Sequence, residues 1–130
     1  MEKIKIMLLL LMVCFSLFAE ENLTENTETV MTDSLQPAEI TFIELGSVNC
    51  VPCKMMQPVM KEIEEEYADT VNVIFYDVWT KEDKKYGQQY KIRIIPTQVF
   101  LDEKGVEFFR HEGFFSKEEI VELIEKQLKK

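Results

Sequence analysis

Cysteine is scarce in this chain: three in 130 residues, at positions 14, 50 and 53. A small exported protein stapled by disulfides carries more of them, spread along its length. This fold must therefore be held by its apolar core. Histidine is scarcer still, with His111 alone, so a metal site would lack its commonest ligand. At the end of a hairpin strand, His111 reads as a surface or packing residue. Met55, Met56 and Met60 near the cysteines could suggest copper, but Met56 and Met60 suit the buried face of a helix, where methionine fills core space. Positive charge is also short, with 15 Lys and Arg against 24 Asp and Glu, a net charge of −9. A surface that acidic repels phosphate backbones and speaks against nucleic acid as a partner. There is no internal repeat, and the length suits one domain.

No apolar run is long enough for an ordinary membrane span. Lys3 and Lys5 precede an apolar stretch from Ile6 to Phe18, and Ala19 stands before an acidic segment. That is the layout of a secretory signal over residues 1–19. The alternatives are an uncleaved anchor, or a lipid on Cys14, which the bulky neighbours Val13 and Phe15 fit poorly. Cleavage would leave only Cys50 and Cys53. Residues 20–37 are polar and acidic and read as a tether, with room for a short strand around Thr29 to Met31. A compact domain is expected over residues 38–130.

Within it, Ile40 to Leu45 reads as a strand. Met56, Val59, Met60, Ile63 and Tyr67 fall on one face of a helix, with Lys61 and Glu62 to Glu66 on its solvated sides. Pro58 inside that helix should kink it. Val71 to Val78 is almost continuously apolar, which suits a strand covered on both faces. Thr80 to Tyr90 predicts a weaker helix, capped by Thr80 and diluted by Gly87. Thr97 to Leu101, the turn Asp102 to Gly105, and Val106 to His111 predict a hairpin. Ser116 to Glu119 is a capping box, stapled by Phe115 and Ile120, for a last helix burying Ile120, Val121, Ile124 and Leu128. Trp79 is expected to pack at the end of the sheet. The order β-α-β-α-β-β-α gives an α/β fold, a central mixed sheet with helices for both faces.

The stretch that carries chemistry is Glu44-Leu-Gly-Ser-Val-Asn-Cys50-Val-Pro-Cys53-Lys-Met-Met-Gln-Pro58. It places two cysteines where a strand gives way to a helix. Unpaired N–H groups and the helix dipole favour negative charge there. They lower the pKa of the first thiol, and thiolate is the nucleophile of disulfide exchange. A static disulfide or half of a metal site remain the alternative readings of the pair. Glu44 either faces the core, where burial would raise its pKa, or points to solvent. Pro96 either begins a strand in the ordinary trans form or is cis.

Together these residues resemble the thioredoxin family. The resemblance rests on the strand ending at Glu44-Leu45, Cys50-Val-Pro-Cys53-Lys54, Pro58 five residues later, Ile95-Pro96-Thr97, and Gly113 after the hairpin; it spans Ala38 to Lys130. It implies a thioredoxin fold, here with its N-terminal strand and helix shortened. It also implies that Cys50, at an exposed helix N-terminus, attacks a substrate disulfide, and that the more buried Cys53 resolves the mixed disulfide. Glu44 would accept the Cys53 proton. A cis Pro96 would set the Ile95 backbone beside Cys50 to pair with an extended substrate, with Thr97, Val51, Pro52 and Gly113 around it. Departures are Asn49 and Val51 flanking Cys50, where the family has tryptophan and glycine, and Phe75 or a neighbour in place of a buried lysine.

The implied function is an exported, periplasmic thiol–disulfide oxidoreductase that reduces disulfides of exported proteins. It would need no cofactor beyond the Cys50–Cys53 disulfide and no metal. It would act as a monomer, with a membrane thiol-reductase as electron donor, because its compartment is oxidising. Ile95 before the proline resembles the reducing members. Cys-Val-x-Cys-Lys resembles the periplasmic thioredoxin domain of the membrane reductase that exports electrons. The alternatives are a disulfide-forming oxidant of the same fold, a copper-handling protein using both cysteines, and a module that binds partners through the Pro96 loop without turnover.

Overall fold

Strand β1, Ile40–Gly46, is buried along its whole length except at Thr41. Its neighbours explain why. In the computed structural model, which describes residues 38–130, β1 lies inside a four-stranded sheet of order β2-β1-β3-β4. It pairs in parallel with β2 (Val71–Asp77) and antiparallel with β3 (Thr97–Asp102), and β4 (Glu107–Glu112) runs antiparallel to β3. The expectations for an export signal, for Cys14, for an acidic tether and for a shortened first strand and helix lie outside the described residues.

Helices cover both faces of this sheet. Helix α1, Val51–Glu66, buries Cys53, Met56, Met60 and Ile63, the three-and-four spacing of one helix face. Met56, Met60 and Ile63 meet Ile40, Phe42 and Phe100 of the sheet and Ile120 and Ile124 of α3 (Lys117–Leu128). Phe42 stacks on Phe100 at the centre of this core, with ring centroids 4.7 Å apart; each such buried ring contributes roughly 1.5–3 kcal/mol. The opposite face is a smaller core of Ile43, Leu45 and Val99, closed by Tyr76, Tyr86, Tyr90 and Ile92. Pro58 removes one hydrogen bond inside α1, yet the helix continues to Glu66.

The apolar run of β2 sends alternate side chains to both cores, as its patterning predicts; among the described residues it is an edge strand, with Val73 to Tyr76 half-buried. Three local expectations need correction. The weaker helix, α2, is six residues, Lys84–Gln89. Thr80 does cap, accepting from the Asp83 N–H at 3.2 Å, but what it caps is a turn that precedes α2. Val121 and Leu128 are half-buried beside the fully buried Ile120 and Ile124. Trp79 packs nowhere at the sheet end and is 62% exposed.

The hairpin and the last helix follow local chemistry. Asp102 Oδ1 accepts from the backbone N–H groups of Lys104 and Val106, both at 2.9 Å, and Gly105 takes the positive φ of 75° that the turn demands. At α3 the capping box is complete, with Ser116 and Glu119 bonding reciprocally. Phe115 and Ile120 both enter the main core. Lys117 then ties α3 to α1 through Glu62 at 3.0 Å and Glu66 at 2.9 Å.

Candidate active site

The chain leaves β1 at Gly46 and makes one turn before α1 begins. Three hydrogen bonds fix that turn. Ser47 O accepts from the Cys50 N–H at 3.1 Å, Ser47 Oγ accepts from the Asn49 N–H at 3.2 Å, and Asp77 Oδ2 accepts from the Val48 N–H at 3.1 Å. Asp77 comes from the end of β2, and its Oδ1 accepts from the Trp79 N–H at 3.1 Å. One carboxylate thus holds two segments that flank the cysteines.

Cys50 is the N-cap of α1, with extended backbone and no side-chain capping bond. It is disulfide-bonded to Cys53, with Cα atoms 5.2 Å apart. The helix N-terminus is exposed at Val51, 71%, and at Pro52, while Cys50 itself is 8% exposed and Cys53 fully buried. Pro52 has no N–H, so fewer free donors point out of this helix end than usual.

Glu44 lies on β1, two residues before Gly46. It is fully buried, and burial pushes its carboxyl up to about 7, partly offset by a hydrogen bond from Gln98. That bond, from Gln98 Nε2 to Glu44 Oε2, is 2.8 Å. Among the described residues nothing donates a hydrogen bond to Oε1. A Cβ on Gly46 would lie 3.3 Å from that oxygen and 3.2 Å from Cys53 Sγ. Glycine at 46 therefore leaves open the space between acid and sulfur.

Across the sheet, the Ile95–Pro96 peptide bond is cis. Thr97, buried, donates from Oγ1 to Ile94 O at 2.7 Å. Pro96 O accepts from the Gly113 N–H at 2.8 Å, and Gly113 adopts φ 96°. Gln98 Nε2 also donates to Gly113 O at 3.1 Å, so one buried amide joins Glu44 to the Pro96–Gly113 loops. Val48, Val51, Met55, Trp79, Ile94 and Phe114 are all exposed on these segments.

Three residues that shape the site were not singled out from the sequence: Gln98, Gly46 and Asp77. Gln98 carried a signal, a polar residue two positions after Pro96 and just before the apolar run Val99 to Leu101. Phe75, expected where a lysine might neutralise Glu44, is the register partner of Glu44 on β2. His111 packs, stacking on Phe115 with centroids 4.2 Å apart. Among the described residues no three His, Cys, Asp or Glu side chains converge on a common point.

Residues 24–128 match the family model described as a thioredoxin-like domain. The thioredoxin of Acidithiobacillus ferridurans is 31% identical over 97 residues, covering 75% of this chain and 87% of its own. That of Staphylococcus saprophyticus is 31% identical over 103 residues, covering 78% and 94%. A chloroplastic thioredoxin z superposes with a TM-score of 0.64 at 20% identity, covering 76% of this chain and 86% of its own; at that identity the likeness speaks for the fold.

Proposed function

The chain belongs to the thioredoxin family and is a thiol–disulfide oxidoreductase of the thioredoxin fold, and from that premise we propose that it is a reductant of disulfides in exported proteins. In the reduced protein the Cys50 thiolate attacks one sulfur of a substrate disulfide. A Cys50–substrate disulfide forms, and the other substrate sulfur leaves as a thiolate that takes up a proton. Cys53 then gives its proton to the Glu44 carboxylate and attacks Cys50 Sγ. The mixed disulfide breaks, the second substrate sulfur leaves and is protonated, and the Cys50–Cys53 disulfide remains. Two electrons have moved from the dithiol to the substrate.

The observation that carries the reducing direction is the poverty of support for a Cys50 thiolate. A strong oxidant keeps its reduced form stabilised. Here Val51 and Pro52 bring no charge and no side-chain donor, and Pro52 lacks even an N–H. The helix terminus is left as the main stabilising influence. The exposed apolar residues around the cysteines suit an extended protein segment, with Ile95, Pro96, Thr97 and Gly113 as its docking edge. Residues 1–19 would direct export, and a membrane dithiol donor would return the disulfide to the dithiol.

A redox titration of the Cys50–Cys53 pair against glutathione and dithiothreitol buffers tests this reading. The expected potential is near about −270 mV, and a value near about −120 mV would reverse the direction. In parallel, Cys53→Ser should accumulate mixed disulfides with client proteins, and Cys50→Ser should accumulate none.

A further inference from the structure

Glu44 does not face the sulfur as a bare buried acid. A carboxylate sealed from water without a partner is costly, and a hydrogen-bond donor to its charged form lowers that cost. The described structure provides one such donor, Gln98 Nε2, on Oε2. Oε1 is left without a partner and borders the gap over Gly46 into which Cys53 Sγ also projects. Gln98 is itself fully buried, and its second N–H is fixed by Gly113 O. With Gly113 bound in turn to Pro96 O, the amide cannot rotate away without breaking two contacts.

We propose that Gln98 is a positioning residue for the resolving step: its amide holds the Glu44 carboxyl with Oε1 toward Cys53, favours the carboxylate, and so sets the pH above which Cys53 can be deprotonated. This rests on the reading of Cys53 as the resolving thiol. The groups facing Glu44 are few. Cys53 faces it from α1 and Gln98 from β3, while β2 contributes the uncharged Phe75 in register. Burial and the Gln98 amide are the two influences on its ionisation. A glutamine does not titrate, so at this contact the pH response comes from Glu44 and, in the reduced protein, from the Cys53 thiol.

The test is a carbon-13 NMR titration of the Glu44 carboxyl in the full-length reduced protein, alongside the pH profile of insulin disulfide reduction. Gln98→Met keeps length and loses the donor. It should move the carboxyl midpoint up by about one pH unit, a tenfold change in the ionisation constant. The rising limb of the activity profile should move with it. In Glu44→Gln the part of the limb that follows the carboxyl should vanish, leaving that of the thiols, and adding Gln98→Met should shift nothing further. A midpoint unchanged in Gln98→Met overturns the proposal. If that variant does not fold, the wild-type Gln98 amide resonances decide: they should titrate with the Glu44 midpoint, and an amide blind to it rejects the assignment. Failure of the wild type to reduce insulin would instead remove the functional reading, while the midpoint shift would still report the hold of Gln98 on Glu44.

Discussion

Glu44 and Cys53 meet across a residue with no side chain: Oε1 of one and Sγ of the other lie 3.3 and 3.2 Å from the point where Gly46 would carry a Cβ. The acid, the sulfur and the glycine thus form one unit.

Glu44→Gln should make the protein more stable in mild alkali. The folded carboxyl sits near 7 and its unfolded value is 4.5. The folded state therefore binds the extra proton between those values. Stability from this group is fully present below about pH 4.5 and is lost as pH rises through 7. A shift of that size corresponds to about 3 kcal/mol. Urea unfolding at pH 4.5 and pH 8 checks it: the wild type should lose stability between the two, and the variant should lose far less. Equal slopes in both would show that Glu44 is not the source.

Gly46→Ala should destabilise the oxidised protein by roughly 1–3 kcal/mol, the usual result of adding a methyl to a filled core. Its new Cβ would press on Cys53, which the helix and the disulfide hold, and on Glu44 Oε1. Resolution of a mixed disulfide should slow as well, which a stopped-flow measurement would follow. An unchanged midpoint in urea together with unchanged kinetics would contradict the tight approach.

Asp77→Ala removes the acceptor for both the Val48 and Trp79 N–H groups. These donors lie near the surface and can turn to water, so the expected loss is about 1–2 kcal/mol. Asp77→Asn, which keeps a carbonyl acceptor, should lose less. The more telling readout is hydrogen exchange at Val48, which should quicken in Asp77→Ala while amides of β3 stay protected.

Ser116→Ala breaks the capping box of α3. It should cost about 1 kcal/mol in thermal or urea unfolding. The potential of the Cys50–Cys53 pair should stay where it was, because the hydrogen bonds of that cap run only between Ser116 and Glu119. A shifted potential would mean that α3 and the redox centre are coupled.

Where a feature is settled by neighbours in the chain, it could be read from the chain. The capping box needs only Ser116 and Glu119, the hairpin turn needs Asp102 and Gly105, and the strand-to-helix junction at Cys50 follows from patterning. Strand order is a property of the assembled sheet, so Val71 to Val78 could not disclose that β2 stands at an edge among the described residues. Alternation failed to orient Glu44 for a related reason: β1 is covered on both sides, so both sets of its side chains are buried. Gln98 was missed because its importance lies in a contact 54 positions away. Trp79 misled because aromatic size suggests burial, whereas here a loop anchored on Asp77 carries the ring outward.

The unequal shielding of the two sulfurs has a consequence for sequence of events. A client too bulky to enter the protein can collide only with Cys50, since its neighbour presents no surface at all. In the proposed reaction, steric screening would then keep adducts off Cys53. The order of the two exchanges, Cys50 first, would follow from shape as well as from reactivity.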